Sequence, residues 1–260
     1  MAICLQSSVV RRLLALLLGG ALLLTLTAAH SADRDALRDI VQRQCLPDWL
    51  LHHDPSPCLR VSRARGAGSA GGYALLADRK GGAHFLLIPL GTLTGIESPE
   101  LLAPDAPDYF AAAWQARDRV AAVVGHALPR ELIGLAINSR PTRGQDQLHI
   151  HIECVGARLF AALHAQGSQL GDRWSSLRLS VWNYRAMRVM GPSLARDPVR
   201  LLADGVPGAR EHMGAYTLVV VGMQFRDGPG FAIVTGRAVP GGELLLDGSC
   251  SLAHHLPGAP

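Results

Sequence analysis

One short stretch of the chain alternates strictly between apolar and polar residues. Positions 148, 150 and 152 hold Leu or Ile, and the polar positions that alternate with them hold His149, His151 and Glu153. A period of two predicts a β-strand that carries these three titratable side chains on one face. Because neighbours on one face are roughly 7 Å apart, two imidazoles and a carboxylate can flank one phosphate or one metal ion. The competing interpretation is an ordinary strand whose polar face meets solvent.

The remaining hydrophobic pattern predicts a mixed domain of helices and antiparallel strands. Apolar residues at helical spacing predict helices at 34–45, 107–124 and 157–166. Short apolar runs predict strands at 73–77, 85–89, 133–137, 216–221 and 231–235. The first two strands flank a turn and form a hairpin, and the third is expected to pair with the histidine strand. An α+β fold follows.

Length and composition fit a globular domain with a sizeable core. The chain has 260 residues, 48% of them hydrophobic, and a net charge of +4. Two of the positive charges, Arg11 and Arg12, precede the first apolar run. The remaining charge is too small for a surface that binds a nucleic-acid backbone, so we expect no nucleic-acid partner.

The N-terminus has the features of an export segment. Arg11 and Arg12 are followed by an uncharged, Leu-rich run over residues 13–29, which is typical of a signal peptide or a signal anchor. The run is intermediate between a signal-peptide core and the roughly 20 residues that span a bilayer. Both interpretations therefore stay open for residues 1–32. Residues 33–260 then form the folded domain, and the arginines favour its placement outside the cytoplasm.

The cysteines fit an oxidising compartment. Cys4 lies in the export segment, which leaves an even set of four. We predict two disulfides, Cys45–Cys58 and Cys154–Cys250. The thiols are scattered and lack the C-x-x-C spacing that would favour a zinc site. The second disulfide would tie the C-terminal tail to the histidine strand.

The loop ahead of the histidine strand carries groups that suit an anionic ligand. It contains Arg140 and Arg143, and guanidinium groups bind phosphates through paired hydrogen bonds. Asn138 and Gln145 add amides, and Gly144 lets the backbone approach a ligand closely. We expect the two arginines and the two amides to bind substrate.

The spacing of these residues resembles that of the histidine triad superfamily, whose members hydrolyse or transfer nucleotides through a covalent nucleotidyl-histidine. The matching residues here are Asn138, Gly144, Gln145, His149 and His151. The resemblance implies that His151, in the middle position of the triad, is the nucleophile. Glu153 takes the third position, where the superfamily has His or Gln. If the triad is aligned one triad position earlier in the chain, His149 takes the middle position and is the nucleophile instead.

Most of the chain after the export segment resembles the bacterial CDP-diacylglycerol pyrophosphatases. The resemblance rests on the segments CLPDWLLHHDPSPC, GIESPELL, WQARD, LAINSR, LHIHIEC and AREHMGAY. It implies a HIT-like antiparallel sheet with packed helices and a C-terminal extension. It also implies a hydrolase of phospholipid metabolism that cleaves CDP-diacylglycerol to CMP and phosphatidate. Such an enzyme is expected to be a single-pass protein of the bacterial inner membrane with its catalytic domain facing the periplasm, and a homodimer is a further expectation.

The resemblance implies a mechanism that needs neither a metal nor a cofactor. His151 would attack the phosphorus that bears cytidine, phosphatidate would leave, and water would then release CMP. His149 would orient the imidazole. Glu153 would hold the attacking tautomer of His151 or activate the water.

Two other functions remain open. His149, His151 and Glu153 on one strand face also suit a metal-dependent hydrolase. The same fold without turnover would be a periplasmic module that binds a nucleotide or a lipid. For a lipid substrate, the aromatic and Met-rich segment 181–190 offers an apolar route to the site, unless it belongs to the core.

Overall fold

The computed structural model describes residues 34–63 and 71–255, and its centre is a large antiparallel sheet. The strands are β1 (Arg60–Arg63), β2 (Gly72–Ala77), β3 (Phe85–Pro89), β4 (Ile133–Ile137), β5 (Ile150–Val155), β6 (Ser175–Leu179), β7 (Trp182–Met190), β8 (Tyr216–Phe225), β9 (Gly228–Arg237) and β10 (Leu246–Asp247). Nine of them follow the order β1-β2-β3-β5-β4-β8-β9-β7-β6, and β10 pairs with β5. The histidine strand, β5, is therefore an interior strand.

Helices cover both faces of this sheet. The α-helices are α1 (Ala36–Ile40), α2 (Leu46–His52), α3 (Tyr109–Gln115), α4 (Asp118–Val124), α5 (Ala157–Gln166) and α6 (Pro198–Gly205). A π-helical turn joins α1 to α2, and 3-10 turns occur at Pro99–Leu102, Arg130–Leu132, Gly167–Gln169, Arg210–Ala215, Gly242–Leu245 and Ala253–His255. The predicted helix 107–124 is divided into α3 and α4, because the backbone hydrogen bonds change to three-residue spacing between them, with the Arg117 N–H donating to the Trp114 carbonyl oxygen at 3.4 Å.

The sheet consists of two halves with the same order of elements. The first half runs β2, β3, α3 with α4, β4, β5, and the second runs β6, β7, α6, β8, β9. The halves meet where β4 pairs with β8, with Ala136 opposite Val219. The row that holds His151 in β5 continues through Ala136, Val219 and Val234. In this row the second half therefore has apolar residues where the first has a histidine.

Apolar side chains pack against the sheet on both faces. One core contains Phe110 of α3 and Leu202 of α6. On the other face, α5 contributes Leu159, and the π-helical turn covers the β1–β3 edge with Val41. β5 is buried along its whole length. Both faces of β5 are thus buried, and the interpretation that its polar face meets solvent is wrong.

The α+β class and all of the predicted strands are confirmed. β3 and β4 have the predicted bounds, and β4 is the antiparallel neighbour of β5. β5 begins at Ile150, so His149 precedes it. The sequence pattern does not predict the β6–β7 hairpin, where arginines at 178, 185 and 188 interrupt the apolar residues. Both predicted disulfides, Cys45–Cys58 and Cys154–Cys250, are present.

The expected single-pass placement in the inner membrane is corrected by the structure. Within 34–63 and 71–255, no helix is both long and apolar enough to cross a membrane. The export segment, residues 1–32, and its boundary with the domain lie outside the described residues. A homodimer is not supported either, since the paired halves of the sheet come from one chain.

Candidate active site

β5 and the residue before it place three titratable side chains in one row. The ring centroids of His149 and His151 are 4.9 Å apart, and Glu153 Oε1 lies 3.6 Å from His151 Nδ1. The alternating pattern therefore brings together the residues that the sequence singled out. Their exposed fractions are only 9%, 3% and 5%. Protein atoms rather than bulk water therefore surround all three side chains.

A third histidine joins this row from the neighbouring strand. His84 directly precedes β3, which pairs with β5 so that Phe85 lies opposite Ile152. Its Nε2 atom lies 2.9 Å from Glu153 Oε1 and 3.0 Å from His151 Nδ1. Sequence reasoning missed His84, because local pattern does not show which distant strand β3 pairs with. The available signal was a histidine directly before the second strand of the predicted hairpin.

His149 is held as a neutral imidazole. Burial, and to a smaller extent the neighbouring His151, lowers the pKa of His149 to about 3. Its Nδ1 atom donates to the Gln147 carbonyl oxygen at 2.8 Å. A proton on Nδ1 leaves the lone pair on Nε2.

Glu153 is a carboxylate in this environment. Burial alone would raise its pKa, but the nearby His151 and His84 rings outweigh burial, and the pKa is lowered. Its negative charge thus lies against two imidazoles. It can stabilise positive charge that develops on either ring.

His149 and His151 line a cavity of about 280 Å³, which we call the histidine cavity. His151 Nε2 is buried and has no hydrogen-bond partner among the described residues, although Glu243 Oε2 lies 3.5 Å away. Lys80 Nζ lies 3.4 Å from the same Glu243 oxygen. The cavity therefore combines ring nitrogens with a cation and a carboxylate, which suits the chemistry of a phosphate ester. Neither Lys80 nor Glu243 was singled out by the sequence, because both belong to surface turns far from the motif.

Asn138 and Gln145 line this cavity and also build its walls. Asn138 Oδ1 accepts a hydrogen bond from the Glu243 backbone N–H at 3.2 Å, which holds the turn that carries Glu243. Gln145 Oε1 accepts from the Leu37 backbone N–H at 3.0 Å, which fixes α1 beside the cavity. Both predicted amides are therefore at the site.

Arg140 and Arg143 lie elsewhere. They line a separate cleft of about 1180 Å³. Arg143 is buried and pairs with Glu97 at 2.5 Å and with Asp146 at 3.0 Å. The structure does not bring the two arginines to the histidine cavity, where Lys80 is among the lining residues instead.

A metal ion has one candidate set of ligands within the part of the chain that the structure describes. One atom each from His84, His151 and Glu153 lie within 4.8 Å of one another. Imidazole nitrogens and a carboxylate suit a zinc-type ion. This set contains His84 in place of His149, whose Nδ1 is bound to the Gln147 backbone.

Comparison with known proteins identifies the family. The family model for CDP-diacylglycerol pyrophosphatase matches residues 32–254. A CDP-diacylglycerol pyrophosphatase of Yersinia pestis is 37% identical over 235 residues, which cover 87% of this chain and 88% of that protein. The chain therefore belongs to the CDP-diacylglycerol pyrophosphatase family, a family of hydrolases that act on a diphosphate bond.

Proposed function

We propose that this protein cleaves the diphosphate of CDP-diacylglycerol in the histidine cavity, through a nucleotidyl-histidine formed on His151. The observation that carries the proposal concerns His151, whose side chain lines the cavity. Its Nε2 atom is buried and has no hydrogen-bond partner among the described residues. A neutral imidazole nitrogen with a lone pair is a nucleophile at neutral pH. Membership of the family supplies the substrate.

The reaction has two displacements at the phosphorus that bears cytidine. In the first, His151 Nε2 bonds to this phosphorus, the bond to the bridging oxygen breaks, and phosphatidate leaves with the electron pair. In the second, a water oxygen bonds to the phosphorus and the N–P bond breaks. The electron pair of that bond returns to the ring, the water loses a proton, and CMP is released. A histidine triad relationship is part of this proposal.

The two carboxylates lie on opposite sides of the His151 ring. Glu153 is beside Nδ1, where its charge stabilises the cationic ring of the intermediate. His84 Nε2, at 3.0 Å, accepts the Nδ1 hydrogen. Glu243 is beside Nε2, where its carboxylate accepts the proton of the attacking water. Lys80, next to Glu243, matches the charge of the phosphate oxygens.

The stereochemistry at phosphorus tests the covalent intermediate directly. A CDP-diacylglycerol with a single-configuration phosphorothioate at the cytidine phosphorus is hydrolysed in heavy-oxygen water. Two displacements each invert the phosphorus, so the proposal requires overall retention. Inversion would show that water attacks directly and would overturn the intermediate.

Alanine variants identify the nucleophile. CMP release should fall by about three orders of magnitude or more in His151→Ala, and by less in His149→Ala. His164→Ala, an exposed histidine on α5, is the matched control and should retain activity. Activity that survives in His151→Ala but not in His149→Ala would move the nucleophile to His149, whose Nε2 also carries a lone pair.

A metal-dependent hydrolase is the second candidate, because His84, His151 and Glu153 form a set that can hold an ion. In that case the ion would activate the water as a Lewis acid. Wild-type CMP release in excess EDTA separates the two candidates. Full activity supports the covalent route, and a loss that zinc restores assigns the three side chains to a metal.

A further inference from the structure

An apolar groove of about 330 Å³ lies near the histidine cavity. The β6–β7 hairpin contributes Leu179, Trp182 and Tyr184 to its wall, and the turn after β9 contributes Leu244 and Leu245. In β7, Tyr184 and Ala186 share a face, and Ala186 is paired with Val234 in the row that leads to His151. The groove and the histidines therefore lie on the same side of the sheet.

Large apolar side chains are exposed at this groove. Leu244 is 71% exposed and Trp182 is 44% exposed, and Val181, between two groove residues, is 87% exposed. A single exposed apolar residue is ordinary, but several together indicate a site that an apolar ligand covers. The segment 181–190 is thus divided: its first residues are exposed, whereas Met187 and Val189 belong to the core.

The groove adjoins the cavity through one short turn. A further cavity of about 340 Å³ shares Lys80 and Glu243 with the histidine cavity and shares Leu244 with the groove. Leu244 directly follows Glu243, whose carboxylate lies 3.5 Å from His151 Nε2. One ligand can therefore place its polar end in the histidine cavity and its apolar end in the groove, on opposite sides of this turn.

We propose that this groove, lined by Leu179, Trp182, Tyr184, Leu244 and Leu245, binds an acyl chain of the substrate while the histidine cavity holds the nucleotide. The inference rests on the proposed function, since a diacylglycerol ester of a nucleoside diphosphate has one polar and one apolar end. Removing apolar area from the groove should weaken the binding of long chains more than that of short chains, because hydrophobic affinity grows with buried area.

Kinetics with substrates of two chain lengths test the groove in the full chain. CMP release is measured from a dipalmitoyl and from a dibutyryl CDP-diacylglycerol in mixed micelles. In Leu244→Ser/Trp182→Ala, the long-to-short ratio of kcat/KM should fall at least tenfold. Val123→Ser is the control. It removes an apolar side chain that is 53% exposed from α4, a helix on the opposite face of the sheet, and it should keep the wild-type ratio. A ratio unchanged in the groove variant, or equally reduced in the control, overturns the proposal.

Photo-cross-linking gives an independent test. A CDP-diacylglycerol with a diazirine on one acyl chain should label segments 179–184 and 244–245. Labelling confined to the other exposed apolar residues, such as Leu51 on α2, would overturn the groove. Failure of the proposed function has a different signature, because the wild-type chain would then release no CMP from either substrate.

Discussion

His84 Nε2 lies 3.0 Å from His151 Nδ1, although 67 residues separate the two histidines in the chain. An imidazole has only two ring nitrogens, so the group beside Nδ1 decides whether Nε2 carries the lone pair. His84 and Glu153 are the groups beside His151 Nδ1. They therefore fix which ring nitrogen of the proposed nucleophile carries the hydrogen.

His84 should act as a positioning residue. We expect His84→Ala to lower kcat for CMP release by about 100-fold with a smaller change in KM, since Nδ1 of His151 would lose its neighbour. His84→Gln places an amide there and should recover part of kcat. His164→Ala serves as the control. A change in KM alone would contradict the role.

Acid should destabilise the fold through His149. Its pKa is lowered from 6.5 to about 3 in the folded chain, so between these values the unfolded chain binds more protons. The stability that neutral His149 contributes is complete above about pH 6.5 and is lost as the pH falls. One proton gives a slope of about 1.4 kcal/mol per pH unit. The free energy of unfolding, measured with urea between about pH 4 and pH 7, should change more steeply with pH for wild type than for His149→Gln. Equal dependence on pH would refute the prediction.

Gly144 should affect the binding of substrate and have little effect on folding. A Cβ atom built there meets nothing within 4 Å, and the residue lines the histidine cavity. We expect Gly144→Ala to keep the wild-type thermal midpoint but to raise KM several-fold, because an added methyl group in the cavity wall would reduce the space for the substrate. Gly171→Ala, where a Cβ would meet only the Arg173 backbone nitrogen at 4.0 Å, is the matched control. Wild-type KM in Gly144→Ala would show that the substrate does not approach this loop.

The two disulfides should differ in their effect on activity. Cys154–Cys250 spans 96 residues and Cys45–Cys58 spans 13, so the chain-entropy model assigns them about 4.7 and about 3 kcal/mol. The longer one also holds the segment after β10, where Gly248 packs near Glu153. In denaturant unfolding and CMP-release assays, Cys154→Ala/Cys250→Ala should lose more stability and more activity than Cys45→Ala/Cys58→Ala. Equal losses of activity would contradict the local role.

Local pattern is sufficient where burial repeats with a fixed period. The alternation that places His149, His151 and Glu153 in one row, and the bounds of β3 and β4, were readable because each depends on neighbours within a few residues. The β6–β7 hairpin was not readable, since β7 has two adjacent buried residues and exposed ends, so that its burial does not alternate strictly. Backbone pairing between β7 and β9 holds this hairpin in the sheet, and the local pattern does not contain that information.

The sequence by itself determined the α+β class and the row of titratable residues on β5, because periodicity and residue type carry that information. It also supplied an even set of four cysteines, whose predicted pairing the structure confirms. Only the tertiary structure decided which groups meet this row. It brought His84 and Glu243 to opposite sides of the His151 ring and directed Arg143 to Glu97 instead of the cavity. The physical reason is that contacts between distant segments follow from strand pairing and core packing across the whole sheet, and these are global properties that no local pattern encodes.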